Sequence, residues 1–570
     1  MADVLVAGAG PTGLALACGL RLAGVGVRVV DRAAGPATTS RANFLHARGS
    51  EVLDRLGALG SLPDESRRAM SVTTFLGDRP LVDLRFGDPG LRTAAPPMVI
   101  SQARVEGELR RRLAELGVEP EWGTALVAVE QDDDGVTATL GTGETVRAGW
   151  AVGCDGTSST VRKLAGITAP GVRLSERFLL ADVHLDWDLD RTGTTGWIHS
   201  TGLIGAMPMP HPDGDLWRIL AYDPDGAGTS EGAATADEPT AADHATAAGG
   251  TRTGRPRTDG TGGERLGEEQ ILARVRRILP ERTGRTVRVG EPEWLSQFTI
   301  HRRLADRYRA GRLFLAGDAA HAHAPFGGQG MLTGLGDAEN LAWKLALVVR
   351  GAAGDELLDT YEAERRPLAK DVLRGTSVVT TIDVTRNAVG RFVRDRVVAP
   401  LFGLPWVQRK ATWAASQLWV SYRRGPLGRR TGPAPRPGDR VADLPCLAGD
   451  GTPTRLYAHL GGTWAAVVPA NGPATTAPAG GTSMAGAGGA TATASDTSTG
   501  RTSAPGGSTS ATAGAGDVVV LRRTDGLDET WLVRPDGHLA RRTSGTVRVA
   551  GAPDAVRPAA WVADVLGQRR

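Results

Sequence analysis

Hydrophobic residues near the start of the chain form two short runs separated by a helical pattern. The first run covers residues 4–7 without interruption, the second covers residues 27–30 and contains Arg28, and apolar positions between them recur at the spacing of a helix. An uninterrupted run such as the first is typical of a strand that is buried on both faces. The pattern therefore predicts a strand–helix–strand unit at the start of the chain.

Similar patterns predict the elements that follow, as far as residue 419. Residues 125–140 indicate a hairpin with Asp132-Asp133-Asp134-Gly135 as its turn, and a strand spans 145–152. Between 173 and 222 the strands become longer and carry aromatic residues, which indicates a second, mostly antiparallel sheet. One more strand is predicted at 288–301. Helical periodicity predicts helices at 50–59, 105–116, 268–279, 337–349 and roughly 355–419, and the first of these is expected to begin at residue 42, after Arg41.

Two stretches are too poor in large apolar residues to contribute to a core. Residues 225–264 and 471–516 consist mainly of small and polar residues, so we expect both to be insertions that do not order themselves. A linker rich in Pro, Arg and Gly at 426–439 leads into a final unit that spans 437–570. Strand patterns in that unit flank the second insertion, at 464–468, 518–521 and 531–538.

Composition and charge exclude several classes of function. A chain of 570 residues suggests about three domains, and a net charge of +3 with dispersed basic residues argues against nucleic acid as a partner. Cys18, Cys154 and Cys446 lie far apart and form no C-x-x-C pair, so neither a zinc site nor a disulfide framework is predicted. No apolar run approaches the roughly 18 residues of a membrane span. We therefore expect a soluble, cytoplasmic protein.

The turn after the first predicted strand carries a glycine fingerprint for a dinucleotide. Gly8, Gly10 and Gly13 form G-x-G-x-x-G, and Asp31 ends the second strand. In such a unit the glycines provide the tight turn, the close approach of a pyrophosphate, and the close packing of helix on strand. The acid is placed for a ribose hydroxyl, and an acid rather than an arginine suits an unphosphorylated ribose. Alone, the fingerprint fits any dinucleotide.

Two further motifs make the assignment more specific. Residues 311–321 are G-R-L-F-L-A-G-D-A-A-H and continue to P-F-G-G-Q-G at 325–330, and an Asp-Gly signature lies at 152–162. With these motifs in this order, the chain resembles the single-component FAD-dependent aromatic hydroxylases, the class of p-hydroxybenzoate hydroxylase and phenol hydroxylase. Within that class it is most similar to the hydroxylases that tailor bacterial aromatic polyketides. The resemblance covers the chain as far as the region of residue 375 and is weaker beyond it.

The resemblance implies an α/β fold with three parts. These are a Rossmann-type FAD-binding domain, an inserted and mostly antiparallel sheet for the substrate, and a C-terminal thioredoxin-like domain. Because the C-terminal domain lacks C-x-x-C, it would have no redox chemistry and would serve packing or assembly. The expected boundaries are 1–173 and 301–424 for the FAD-binding domain, 174–300 for the substrate sheet and 437–570 for the C-terminal domain.

The resemblance also implies contacts with FAD. Asp318 would accept a hydrogen bond from the ribityl chain, and backbone N–H groups at 327–330 would stabilise negative charge at flavin N1 and O2. The family usually has Asn where this chain has Leu332. The Leu side chain cannot make the hydrogen bond of that Asn, but the backbone contact with the flavin is kept. Simpler explanations exist for Asp318 and Asp155 as turn acids and for Arg32 as a solvated base. The expected FAD-binding residues are Gly8, Gly10, Pro11, Thr12, Gly13, Asp31, Arg32, Arg41, Gln102, Leu126, Asp155, Gly317, Asp318, Pro325, Gly328, Gly330, Met331 and Leu332.

Two other groups of residues have ordinary explanations. His321 and His323 are two positions apart with no third ligand near them in sequence, so no metal site is predicted. The aromatic residues of the second sheet either line a pocket for a flat ring system or form plain core. They are Trp187, Trp197, Trp217 and Tyr222.

The activity implied by the resemblance is oxygenation. NAD(P)H reduces FAD, O₂ adds at the flavin C4a carbon, and the resulting hydroperoxide passes one oxygen atom to a phenolic substrate of the aromatic polyketide type. The chain has no second G-x-G-x-x-G for the nicotinamide, which fits a transient visit by NAD(P)H. Two alternatives stay open: Baeyer–Villiger insertion into a polyketide ketone, and a catalytically idle flavoprotein that binds a partner. The sequence does not identify catalytic side chains.

Overall fold

The computed structural model of the protein describes most of the chain. The described residues are 2–38, 42–66, 70–77, 79–86, 97–211, 213–223, 225, 266–323, 328–384, 392, 396, 399–402, 404–470, 518–544 and 558–567. Arg41 and Pro325, and nearly all of the two predicted insertions, lie outside them.

The regular elements are numbered in chain order. The strands are β1 (Ala2–Ala7), β2 (Val27–Val30), β3 (Phe44–Leu45), β4 (Met70–Leu76), β5 (Arg79–Phe86), β6 (Met98–Val99), β7 (Leu126–Gln131), β8 (Val136–Leu140), β9 (Thr145–Gly153), β10 (Gly171–Asp186), β11 (Thr194–His199), β12 (Gly202–Pro208), β13 (Leu216–Asp223), β14 (Arg288–Leu304), β15 (Arg309–Ala310), β16 (Leu313–Leu315), β17 (His321–Ala322), β18 (Pro445–Leu447), β19 (Pro453–Arg455), β20 (Trp464–Val468), β21 (Val518–Arg523), β22 (Glu529–Val533) and β23 (Leu539–Ser544). The α-helices are α1 (Pro11–Leu22), α2 (Ala47–Leu56), α3 (Leu62–Glu65), α4 (Gln102–Glu115), α5 (Thr160–Leu164), α6 (Glu268–Thr283), α7 (Gln329–Val349), α8 (Glu356–Val384), α9 (Ala399–Phe402), α10 (Pro405–Ser416) and α11 (Pro558–Gly567).

The first sheet is built around the predicted strand–helix–strand unit. Its strands β16, β9, β1 and β2 are parallel neighbours, and the hairpin β7–β8 joins the first half of β9 in antiparallel pairing. Val4, Leu5 and Val6 of β1 are fully buried, in one apolar core with the helices α1, α4 and α7. Burial on both faces explains why the strand carries a continuous apolar run rather than an alternating pattern. The carboxyl ends of β1, β9 and β16 deliver all three sequence motifs to the same edge.

The second sheet contains the long aromatic strands, as predicted. Its order is β17-β14-β10-β13-β12-β11-β4-β5, and its described pairs are antiparallel except for the parallel pair β11–β4. Side chains of one face, including Leu179, Val183 and Ile219, pack against α6 through Ile271 and Val275. The strands β4 and β5 were not predicted. They come from an earlier part of the chain than the other strands of this sheet.

The predicted helix at 42–59 was wrong at both ends. Phe44 and Leu45 form a short strand that pairs with Val99 and Met98, and α2 begins only at Ala47. At the other end Gly57 takes a left-handed conformation with φ of 69°, which ends the helix. Among the described residues, no helix is both long and apolar enough to cross a membrane.

The C-terminal unit contains a third sheet, in the order β19-β18-β21-β20-β22-β23. Its strands β20 and β21 are parallel, although the second insertion separates them in sequence. The thioredoxin-like character of this unit stays a prediction. A hydrophobic cluster that includes Trp343 of α7, Trp464 of β20 and Trp561 of α11 connects the unit to the rest of the protein.

Buried charges hold the turn between β22 and β23 against α7 and α8. Arg534 donates to both carboxylate oxygens of Glu364, at 3.0 and 3.1 Å, and also to Asp536. Lys344 donates to the same Glu364 at 2.8 Å, and Trp343 donates to Asp536 at 3.2 Å. Burial by itself would raise the pKa of Glu364, but Arg534 and Lys344 overcome this effect and hold the pKa at about 2. Buried ion pairs therefore join the C-terminal unit to α7 and α8.

The free energy of unfolding is expected to fall between about pH 6.5 and pH 4. Burial lowers the pKa of His538 to about 4. An unfolded imidazole keeps its ordinary pKa, so acidification protonates the unfolded chain first and favours it. For one group the slope approaches about 1.4 kcal/mol per pH unit. Denaturant unfolding at several pH values measures this slope.

His538→Phe is the matching variant for this measurement. The variant should lower the slope by the contribution of one proton. Burial also lowers the pKa of His323, and the contribution of His323 to the slope should be unchanged in the variant. An unchanged slope in the variant would contradict the assignment.

Candidate functional site

The glycines of the first motif have different neighbours. Gly8 has φ of 109°, and a Cβ built on it would lie 2.3 Å from the carbonyl oxygen of Cys154. A Cβ on Gly13 would lie 1.9 Å from the carbonyl oxygen of Gly8. At Gly10, by contrast, no atom of the described residues lies within 4 Å of an added Cβ. Gly8 and Gly13 thus close the turn, whereas Gly10 borders open space.

The N-terminus of α1 faces this space with its donors available. Gly10 is the N-cap, Pro11 opens the helix, no described side chain makes a capping hydrogen bond, and the first turn contains no acid. The first N–H groups of a helix have no partner within the helix, and they lie at the positive end of its dipole. Such an end is a site for an anion such as a pyrophosphate. The local geometry fits the phosphates of a dinucleotide.

Asp31 supports the same turn from the end of β2. Its carboxylate accepts hydrogen bonds from the backbone of Ala9 at 2.7 Å and of Ala33 at 2.8 Å. Arg32, the next residue, is exposed. Asp31 is therefore held in place by the backbone of the fingerprint that it accompanies.

Gln102 is the first residue of α4. Its amide donates to Glu106 at 2.8 Å, and burial raises the pKa of Glu106. Sequence reasoning missed Glu106, whose only signal was its position one helical turn after Gln102. Leu126 is buried at the start of β7 and pairs with Leu140.

The second motif forms a tight turn at the end of β16. Gly317 has φ of 61°, and its N–H donates to Asp337 at 3.1 Å. A Cβ on Gly317 would lie 2.5 Å from Oγ1 of Thr12. Asp318 is exposed, whereas its neighbours Gly317 and Ala319 are buried. The structure thus brings the first and second motifs into contact, with the Asp318 carboxylate at the surface of the turn.

A second helix N-terminus lies beside this turn. Gly328 is the N-cap of α7 with φ of 63°, and the first turn of α7 has neither an acid nor a capping hydrogen bond from the described side chains. No atom of the described chain comes within 4 Å of a Cβ added at Gly330. Thr12 of α1 also contacts Gly334 of α7. Two uncapped helix N-termini, each next to open space, are therefore joined through Thr12.

Met331 and Leu332 are buried in the first turn of α7, and Leu332 lies against α2. The exposed fraction of Leu332 is 2%, and its Cδ1 would lie 3.3 Å from a Cβ added at Gly49. Leu332 therefore has a packing role, in contrast to the hydrogen-bonding role that Asn has in the resembled family. Its backbone N–H stays in the first turn of the helix, whatever the side chain.

Leu332→Asn is expected to reduce stability more than cofactor binding. A buried amide without a partner costs about 1–3 kcal/mol, while the backbone donors of the helix start are unchanged. FAD affinity and turnover should stay within about tenfold of the natural chain. Denaturant unfolding, FAD titration and rates measure the three quantities, with Leu332→Met as the apolar control. A gain of several orders of magnitude in turnover would show that the natural Leu impairs the site.

The carboxylate of Asp155, in the third motif, binds polar groups at the start of α5. Its carboxylate accepts from the Ser159 hydroxyl at 2.5 Å and from the Thr160 N–H at 2.6 Å. The nearby Arg162 is buried and donates to the carbonyl oxygens of Ala319 and Thr157, both at 3.0 Å. Asp155 thus has a capping role in the described structure, and Arg162 ties the third motif to the second.

Behind the second motif lies a buried chain of polar groups. Asp337 of α7 interacts with His321 at 2.6 Å and with Arg365 at 2.7 Å, and His323 contacts His321 at 2.8 Å. Burial alone would raise the pKa of Asp337, but His321 and Arg365 hold it at about 2. The two histidines therefore form a hydrogen-bonded chain to Asp337.

Gln417 was missed by sequence reasoning. It is buried, has the left-handed φ of 55°, and donates to Gln329 at 2.8 Å and to Thr333 at 3.1 Å. It fixes the first turn of α7 to the end of α10. The sequence carries no signal for this contact, because Gln417 is distant from α7 along the chain.

The aromatic residues of the second sheet divide between its faces. Trp197 and Trp217 are buried in the core beneath α6, and Trp187 packs on both. Tyr222 belongs to the opposite face, where it clusters with Phe178 and the partly buried Phe298. Since alternate residues of a strand face opposite sides, the tryptophans and Tyr222 do not line one pocket.

The segment that precedes α2 lies between this second face and the start of α7. Asn43 donates to the sulfur of Met207, at 3.2 Å, and Phe44 lies against Gly328. Met207 lies four residues after Leu203 on the same face of β12, and Leu203 belongs to the cluster of Tyr222 and Phe178. The aromatic face of the second sheet is thus linked through this segment to the uncapped end of α7.

Comparisons with known proteins agree with this geometry. A family profile described as "FAD binding domain" matches residues 1–376. A 6-methylpretetramide 4-monooxygenase from Streptomyces rimosus is 38% identical over 440 residues, which are 75% of this chain and 72% of that protein. The solved structure of an anhydrotetracycline hydroxylase from S. rimosus has a TM-score of 0.68 and 30% identity, and covers 95% of this chain and 96% of its own. A Diels–Alderase from pyrroindomycin biosynthesis has a TM-score of 0.66 and 28% identity, and covers 96% and 97%.

Proposed function

Because the chain belongs to the FAD-binding family of monooxygenases that act on aromatic compounds, we propose that it inserts one oxygen atom of O₂ into a phenolic, aromatic polyketide-type substrate with NAD(P)H as the electron donor. The observation that carries this proposal is the pair of helix N-termini that no described side chain caps, each next to space that is free of described atoms, at Gly10 and Gly330, and joined by Thr12. One such end suits a pyrophosphate, and the other suits a ring system that becomes negatively charged on reduction.

Each part of the site has a separate task in this proposal. The N–H groups of the first turn of α1 hold the pyrophosphate, while Asp31 and Asp318 bind hydroxyl groups of the ribose and ribityl chains. The N–H groups at the start of α7 stabilise negative charge on the pyrimidine edge of the flavin. When bound, FAD supplies the activation of O₂ and the transfer of one oxygen atom.

The substrate is proposed to bind on the face of the second sheet that is opposite α6. Phe298, Leu203 and Leu220 are partly buried and offer apolar surface there, and the buried Phe178 and Tyr222 pack behind them. The segment of Asn43 and Phe44 connects that face to the start of α7. A polycyclic aromatic ring bound on this surface would be shielded from water and held near the cofactor.

The test is a coupled assay with labelled oxygen. Purified protein loaded with FAD is mixed with NADH or NADPH and a panel of aromatic polyketides under ¹⁸O₂. We expect a substrate to accelerate NAD(P)H oxidation and to gain one ¹⁸O atom in a phenolic hydroxyl. Label in a ring-expanded ester would instead indicate Baeyer–Villiger insertion. NAD(P)H oxidation that yields only hydrogen peroxide with every member of the panel would argue against oxygenation of this substrate class.

A second candidate function follows from one of the structural neighbours. That protein is described as a Diels–Alderase, and it covers 96% of this chain. We therefore propose, as the alternative, a cycloaddition that uses the FAD-loaded site without net redox chemistry. Product formation with FAD but without NAD(P)H and O₂ would identify this activity, and a strict requirement for both would exclude it.

A further inference from the structure

We propose that the second sheet carries a binding site for a divalent transition-metal ion such as Zn²⁺, formed by His184 of β10, His211 before β13 and Glu293 of β14. One side-chain ligand atom from each of these three residues lies within 4.8 Å of the others. The site does not involve the flavin motifs and does not depend on the proposed oxygenase activity. Imidazole and carboxylate ligands together favour Zn²⁺ and similar ions over Mg²⁺ or Ca²⁺.

The distances between the ligand atoms favour a shared ion over direct hydrogen bonds. Nε2 of His184 lies 3.5 Å, and Nε2 of His211 lies 3.4 Å, from the same Oε1 of Glu293. Hydrogen bonds between such atoms normally measure about 2.7–3.2 Å. Two ligands about 2.0–2.1 Å from a tetrahedral ion are separated by about 3.3 Å. Both distances from the histidine nitrogens to Glu293 are therefore close to those between the ligands of a tetrahedral site, and the third distance is at most 4.8 Å.

Asp215 orients one of the ligands. Its Oδ1 lies 2.8 Å from Nδ1 of His184, which places the proton on Nδ1 and leaves the lone pair of Nε2 for the metal. A carboxylate behind a metal-binding histidine is a recurrent arrangement, and its loss typically weakens metal binding about 10–100-fold. The His184 ring also stands edge-on to the His211 ring, with centroids 5.0 Å apart.

His211 requires a small rearrangement to bind through Nε2. The N–H of Asp213 points at Nδ1 of His211 from 3.3 Å, which is a long contact. With a metal on Nε2, Nδ1 carries the proton and donates instead to a carboxylate. The nearest carboxylate oxygens of Asp213 and Asp215 lie 3.7 and 3.8 Å from Nδ1 of His211.

A β-bulge brings Glu293 to this position. Asp182 pairs with Trp294 and Val183 pairs with Pro292, so Glu293 is the extra residue in β14. Bulges re-aim a side chain and are common beside functional sites. The side chains of His184 and His211 are 26% and 24% exposed, so an ion can enter from solvent and keep a water molecule as its fourth ligand. The ion would fasten β10, β14 and the connection before β13 to one another.

The experiment is metal titration of the FAD-loaded full chain after treatment with a chelator. We expect about one Zn²⁺ per chain with micromolar or tighter affinity by calorimetry, and an intense tetrahedral Co²⁺ absorption spectrum when Co²⁺ replaces Zn²⁺. His184→Gln, His211→Gln and Glu293→Gln should each weaken binding at least 100-fold. Asp215→Asn should weaken it about 10–100-fold. His199→Gln, on strand β11 of the same sheet but away from the site, is the matched control and should bind like the natural chain.

Three outcomes would overturn the proposal. These are the absence of binding below millimolar Zn²⁺, binding that the four site variants leave unchanged, and a weak octahedral Co²⁺ spectrum. The Co²⁺ spectrum uses the natural chain, so it decides the question even where a variant fails to fold. Since none of these readouts measures oxygenation, failure here would leave the proposed function untouched, and the reverse also holds.

Discussion

Gly10→Val is expected to abolish FAD binding while the protein still folds. The backbone of Gly10 has φ of −76°, which any residue adopts, and in the part of the chain that the structure describes nothing lies within 4 Å of an added Cβ. The new side chain would therefore enter only the space that the pyrophosphate needs. We expect the affinity for FAD to fall at least about a thousandfold, equivalent to about 4 kcal/mol. Titration of the apoprotein with FAD, monitored through the quenching of flavin fluorescence, measures this loss.

Two other glycines make this prediction specific. Gly107→Val is the matched control, because the only described atom near its added Cβ is the end of the Arg110 side chain, 3.8 Å away. It should bind FAD normally. Gly13→Val should prevent folding, because its Cβ would lie 1.9 Å from a carbonyl oxygen. A Gly10→Val protein that binds FAD with natural affinity would refute the assignment of α1 to the pyrophosphate.

Glu364→Gln is expected to destabilise the whole protein by about 3–5 kcal/mol. Glu364 is the shared acceptor of Lys344, Asn340 and Arg534, and all four side chains are buried. Without its charge two cations stay buried with less compensation, and that desolvation is what makes the loss of one partner costly. Denaturant unfolding at neutral pH, monitored by circular dichroism, measures the change.

An exposed pair provides the control for Glu364. Glu65→Gln removes a carboxylate that is bound by the exposed Arg104, and surface pairs contribute at most about 1 kcal/mol. The effect of Glu364→Gln should also shrink as the pH falls from about 4.5 towards 2. The unfolded carboxyl protonates first, so the advantage of the charged native form is lost in that interval. A variant as stable as the natural protein at pH 7 would show that the buried network does not hold the C-terminal unit.

Much of the fold followed from local patterns. The apolar run at β1 and the alternation along β8 report how many faces of each strand are buried, and burial is what determines those patterns. The prediction failed at 42–59, where a two-residue strand precedes α2. A pair such as Phe44–Leu45 is too short to have a period of its own, and only its partner β6 makes it a strand.

In the candidate site, too, roles that depend on a local turn could be predicted, whereas contacts between distant segments could not. Spacing alone indicated that Gly8, Gly10 and Gly13 serve a dinucleotide, because those roles depend on a local turn. The sequence did not show that Asp155 would be occupied in capping α5, nor that Gln417 would hold the start of α7. Both depend on which atoms the fold places within hydrogen-bond distance.

The sequence by itself determined the α/β class, the FAD-binding family and the order of the motifs, because each of these is written in residues that are close along the chain. Only the tertiary structure decided which face of the second sheet carries Tyr222, how Arg534 and Glu364 join the C-terminal unit to α8, and that His184, His211 and Glu293 meet. These groups come from segments that are remote in sequence. Their proximity is set by strand register, by a bulge and by the packing of whole surfaces, and no local pattern records those.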